Sequence, residues 1–135
     1  MYKIYNAKIP LPQNNRFAAY FYYPLDLAAM QKACPYFLGT HDFFAFSSAG
    51  GNVKTSIRTL RTCEVFEKDG LFEFRVTGNS FLYNMVRVIV GTLMEVGTGR
   101  MQAEDIPAIF DSKDRERSGN KAPAKGLTLV EIKYK

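Results

Sequence analysis

The chain has 135 residues, enough for one domain and too few for two ordinary ones. Hydrophobic residues make up 47% of it, with eleven Phe, eight Tyr and no Trp, which excludes a disordered or collagen-like chain. The net charge of +5 comes from 18 Lys and Arg against 13 Asp and Glu. It favours polyanionic partners, nucleic acid first, although a plain domain with a cationic surface carries as much. Cys34 and Cys63 are isolated, there is no CxxC pair, and His41 is the single histidine. A four-ligand zinc site and a secreted disulfide scaffold are therefore not expected, and a reduced cytoplasmic compartment is. No apolar run approaches the roughly 20 residues needed to cross a bilayer, so no membrane partner is expected.

Residues 2–7 (YKIYNA) alternate and predict a strand. Met1 abuts that strand directly, which suggests a boundary cutting into a longer chain. Two prolines and two asparagines predict a loop over 8–16, and the aromatic stretch 17–24 fits a strand or an extended segment. Asp26 is a suitable N-cap for a helix over 27–37, with Gly39 stopping it. Residues 40–52 (THDFFAFSSAGGN) predict a loop. Strands at 57–67 and 71–78 flank Lys68-Asp69-Gly70, and the Asp-Gly step is a hairpin signal. A long helix is predicted over 81–97, a shorter one over 103–112, a charged loop after it, and a closing strand over 127–134. This order predicts an α+β fold with a mixed, largely antiparallel sheet.

The long helix carries most of the chemical interest. Leu82, Met85, Val86, Ile89, Val90 and Leu93 share one face at about 100° per residue. Tyr83, Asn84, Arg87 and Gly91 lie on the other. Arg87 is the only cation inside the helix, and a buried arginine needs a carboxylate or phosphate partner, whereas an exposed one is merely solvated. Gly91 in a helix interior suggests close packing there. Asn79 or Ser80 is the expected cap, and the helix start is a potential anion site.

His41-Asp42 resembles a catalytic dyad only superficially. A structural loop is expected, with Asp42 bonding backbone N–H groups and Phe43, Phe44 and Phe46 anchoring the core, stacking on a base being the minority use of such rings. Arg58 and Arg61, an odd number apart, are expected on opposite faces of their strand. Arg58, Lys113 and Arg115 belong to basic stretches suited to phosphate contact.

Five segments then combine: Phe37–Ser47 (FLGTHDFFAFS), Arg58–Leu60 (RTL), Gly78–Arg100 (GNSFLYNMVRVIVGTLMEVGTGR), Asp111–Arg115 (DSKDR) and Ala122–Val130 (APAKGLTLV). In this order and spacing they resemble the TruA-type tRNA pseudouridine synthases over almost the whole chain. The resemblance implies a single domain, the C-terminal catalytic-cleft half of that fold, with helices on one face of the sheet. It also implies an enzyme that isomerises uridine to pseudouridine in the tRNA anticodon stem-loop, at positions 38 to 40, with no cofactor and no metal, as a homodimer. The family's nucleophilic aspartate lies in an RTDxGVHA-type motif, and no Arg-Thr-Asp occurs here. The chain alone is accordingly expected to be inactive.

Arg87 aligns with the family arginine that pairs with that aspartate, and Leu127 with an apolar residue lining the target-base pocket. Thr128 departs from the aromatic common at its position. The family tyrosine that stacks on the base would fall just before Met1, so Tyr2 and Tyr5 do not inherit its role. Tyr83, Asn84, Arg58, Lys113 and Arg115 are further candidates for substrate contact. Two rival readings are a stand-alone basic RNA-binding or assembly module, and an α+β interaction domain.

Overall fold

A computed structural model describes residues 2–10, 26–47, 55–68, 71–82, 84–118 and 128–134. Five strands form one sheet: β1 (Tyr2–Pro10), β2 (Gly39–Asp42), β3 (Ile57–Lys68), β4 (Leu71–Gly78) and β5 (Thr128–Tyr134). Their spatial order is β2-β3-β4-β1-β5, and every neighbouring pair is antiparallel. Three helices complete the α+β fold: α1 (Leu27–Ala33), α2 (Met85–Thr98) and α3 (Ile106–Ser112).

The hairpin stands where the Asp-Gly step placed it. Lys68 pairs with Leu71, and Asp69 and Gly70 lie outside the described residues. The pairing of β3 with β4 reveals one feature that alternation misses. Leu60 pairs with Gly78 but Thr62 pairs with Thr77, so Arg61 is an extra residue in β3. A bulge of this kind shifts the strand's parity. It lets Leu60, Cys63 and Val65 all reach the buried side despite an odd first spacing. The odd spacing of Arg58 and Arg61 therefore does not set their faces.

Several predicted boundaries move for identifiable reasons. β1 runs on through Lys8, Ile9 and Pro10, which the sequence assigns to a loop, because pairing with β4 continues to Pro10 opposite Leu71. Proline is tolerated at a strand end. The helix predicted over 27–37 stops as an α-helix at Ala33, and Cys34–Phe37 tighten into a 3-10 turn. Pro35 has no N–H to return to Gln31 and its ring crowds the preceding turn. The segment 40–52, expected as loop, contributes β2 and a 3-10 turn over Phe44–Phe46, while 48–52 lie outside the described residues. The helix predicted over 103–112 begins as a 3-10 turn at Ala103–Asp105 and becomes α3 at Ile106.

One side of the sheet, carrying Leu60, Cys63, Val65, Phe72, Phe74 and Val76, packs on the helices. Met85, Ile89, Val90 and Leu93 of α2 and Met30 and Ala33 of α1 are inaccessible to solvent there. Burying each large side chain stabilises the fold by about 1.5–3 kcal/mol. Gln31 ties α1 to the sheet through its amide, which donates to the Val65 carbonyl at 3.1 Å. Asp26 caps α1 by accepting from the Ala29 N–H at 3.1 Å, and its own N–H reaches the Gly97 carbonyl at the end of α2, 2.8 Å away. Phe37, Phe43, Phe46 and Phe110 form an aromatic cluster with centroids 4.7–6.4 Å apart. It fastens α3 to the segment after β2.

Candidate functional site

The link from β4 to α2 is built by exclusion of a side chain and by one carboxamide. A Cβ on Gly78 would stand 2.6 Å from the Thr59 carbonyl oxygen, so only glycine lets the strands approach this closely. Immediately after it, the Asn79 N–H donates to that same carbonyl at 3.3 Å. The Asn79 side-chain oxygen accepts from the N–H groups of Thr59 at 3.3 Å and Ser80 at 2.8 Å. Asn79 thus clamps the connection to β3 and is not the helix cap, and neither is Ser80. α2 begins at Met85, four residues later than the sequence predicts. Its N-cap is Asn84, in the left-handed conformation at φ 58° with no side-chain capping bond. Asparagine tolerates that region better than most residues.

This start places Arg87 in the first turn of α2, half-buried. The surrounding helix is buried almost all round, Gly91 and Thr92 included. A cation at a helix N-terminus sits at the positive end of the dipole, an arrangement favoured only where an anion is close. Arg87 and Asn84 are therefore brought together by backbone geometry. Tyr83 and Leu127 lie outside the described residues.

The remaining candidates gather at a neighbouring corner. Asp42, at the end of β2, accepts from the Phe44 N–H at 3.1 Å and from the Ser56 hydroxyl, and lies 3.7 Å from the Lys113 ammonium. Burial pushes the Asp42 carboxyl up, but the bonds from Ser56 and Phe44 and the charge of Lys113 outweigh it and hold the group below the usual carboxylate range. Bonding to backbone N–H matches the expected structural role of Asp42.

Lys113 ends α3 in the left-handed conformation, at φ 53°. Arg115 lies over the ring of Phe44, its Cζ 4.0 Å from the centroid. Phe43 and Phe46 are core anchors as expected, but Phe44 is 37% exposed and is not. Arg58 stands opposite His41 and donates from one terminal nitrogen to the carbonyls of Thr55 and Ile57, both at 2.7 Å. His41 stacks on Phe110 at 4.7 Å and bonds the Leu38 carbonyl at 2.7 Å, so it serves the fold.

The structure thus collects Arg58, Lys113 and Arg115 around residues 41–44, and Arg87 and Asn84 at the start of α2. Both groups stand at the end of the sheet where β3 begins and β4 finishes, bridged by the Asn79 clamp on Thr59. Sequence reasoning assigned Asn79 to the helix cap and Phe44 to the core, and the structure gives both other places. The Gly-Asn-Ser step after β4 was the available signal for the first. Among the described residues no group of three or more His, Cys, Asp or Glu side chains could hold a metal ion, and no helix is long and apolar enough to cross a membrane.

Comparison with known proteins settles the family. Residues 33–135 match the family described as tRNA pseudouridine synthase. The chain belongs to this family. It is 48% identical over 133 residues to the tRNA pseudouridine synthase A of Acetivibrio thermocellus, covering 98% of this chain and 54% of that protein. It is 43% identical over 134 residues to the tRNA pseudouridine synthase A 2 of Clostridium tetani, covering 99% and 54%, and 41% identical over 133 residues to the enzyme of Clostridium kluyveri, covering 98% and 54%. The chain spans about half the length of these curated relatives. The matched region includes β2 to β5, α2 and α3 but only the last residue of α1, so both groups of candidate residues fall inside it.

Proposed function

We propose that this chain is one half of the catalytic cleft of an enzyme that isomerises uridine to pseudouridine in the anticodon stem-loop of tRNA, at positions 38 to 40. The reading extends to a cytoplasmic homodimer needing no cofactor, with this region as its C-terminal half. The placement of Arg87 carries it. A half-buried guanidinium in the first turn of α2 keeps a neighbouring carboxylate ionised and oriented, since a close cation lowers a carboxylate's pKa. In the implied reaction that carboxylate belongs to an aspartate supplied by the other half. It attacks the nucleoside or removes a proton, the glycosidic bond breaks, and the base rotates and rejoins through carbon. The nucleotide must leave its stack to be reached. Net charge of +5 and the basic corner suit the phosphates of such a substrate.

Two measurements test the reading. This chain, incubated with tRNA, forms no pseudouridine detectable by chemical derivatisation, because it carries no RTDxGVHA-type motif; turnover by it alone overturns the half-site assignment. In the full-length enzyme, Arg87→Ala lowers the rate by about a hundredfold or more, a loss typical of removing one catalytic contact, while tRNA affinity changes little. Loss of affinity without loss of rate counts against Arg87 as the partner of a carboxylate.

A further inference from the structure

The corner around Phe44 holds an arginine whose Nε has no hydrogen-bond partner among the described residues. Arg115 is fixed by the face of the Phe44 ring, 4.0 Å from its centroid. Asp114 and Glu116 flank it in sequence, yet neither forms an ion pair with it among the described residues. The Asp114 carboxylate instead accepts from the Glu116 N–H at 3.0 Å. The Nε atoms of Arg115 and Arg58 are the buried side-chain polar atoms without a hydrogen-bond partner among the described residues, and both belong to this corner. Phe44 itself is one of three large apolar side chains left exposed among the described residues. Lys113 stands at this corner with 64% of its side chain accessible, its ammonium steadied by Asp42.

A planar guanidinium seated over an aromatic ring, its Nε without a hydrogen-bond partner among the described residues, is a preorganised surface for a second planar group carrying negative charge nearby. A nucleotide is such a group: its base stacks and its phosphate accepts. We infer that Arg115 and Phe44 form a stacking platform for an unpaired nucleobase of the RNA substrate, with Lys113 holding an adjacent backbone phosphate. The inference rests on the RNA-directed reading above and adds to it a contact site at the same end of the sheet as Arg87. Paired bases present no free face, so the platform distinguishes single-stranded loop from duplex.

The test measures binding of this chain to two RNAs of equal stem sequence, one a hairpin with a single-stranded loop and one a continuous duplex. Arg115→Lys keeps the charge and removes the planar stack; Phe44→Leu keeps the apolar bulk and removes the ring. Each variant is expected to bind the hairpin about tenfold more weakly, the loss of roughly one stacked base, and to bind the duplex as the parent does. Lys113→Ala is expected to weaken both RNAs alike and to flatten the salt dependence. Near-ultraviolet circular dichroism checks that each variant is folded. Unchanged hairpin binding by both Arg115→Lys and Phe44→Leu, or equal losses on hairpin and duplex, overturns the platform alone. Failure of the parent chain to bind either RNA overturns the RNA-directed reading with it.

Discussion

Gly78 and Thr59 approach so closely that a single methyl group has no room between them: a Cβ on Gly78 would lie 2.6 Å from the Thr59 carbonyl oxygen. The neighbour is backbone and cannot swing aside. Gly78→Ala should therefore open the β3–β4 pairing just where Asn79 clamps it. We expect a loss of about 2 kcal/mol or more, within the range for overpacked sites, read as a lower midpoint in urea unfolding. A variant as stable as the parent would show that the strands can part without cost.

Asp42 links pH to stability at the basic corner. Its carboxyl is held below its ordinary value, despite opposing burial, by Ser56, the Phe44 N–H and Lys113. A depressed folded-state pKa adds stability that is full above the unfolded value, about 3.9, and is lost as pH falls through the folded value. Asp42→Asn should thus lower the melting temperature at neutral pH, and the gap to the parent should close below about pH 4. A gap that persists undiminished in acid would assign the effect to shape and not to charge.

Cys34 and Cys63 make a third test. Both are buried, at 4% and 6% exposure. The Cys63 thiol is pushed up by its hydrogen bond with Cys34, by burial and by nearby negative charge. The thiolate is the reactive form, so alkylation at neutral pH should be very slow in the folded chain and complete in denaturant. Rapid modification of native protein, followed by mass spectrometry, would contradict the packing of α1 on β3.

Much of the architecture could be read from the chain. The hairpin is announced by Asp69-Gly70 and by the alternation of Phe72, Phe74 and Val76, and the apolar positions of α2 are the buried ones. What escaped the reading are features that local pattern does not encode. The bulge at Arg61 is set by pairing with β4 and breaks the alternation used to place Arg58 and Arg61. The late start of α2 follows from Asn79 bonding across to Thr59, a contact twenty residues away in sequence. β2 is four residues long and gains its strand character from β3. At the site, Arg87 stood out because a lone helix arginine asks for an anion. Phe44 did not, since nothing in FFAF distinguishes the ring that stays exposed from its two buried neighbours.

The position of β1 has a consequence for how this molecule is made. The first described strand lies between β4 and β5, and β5 is the last. On a ribosome β1 emerges before both of its partners, and the edge that takes β5 stays unpaired until the last described strand has followed. Such distant pairing is slow to form. The β3–β4 hairpin, joined by a two-residue connection, can form first and offer β1 a template. Nascent chains halted before β5 should hold that hairpin while one edge of β1 stays exposed, and an exposed edge is where association between chains begins.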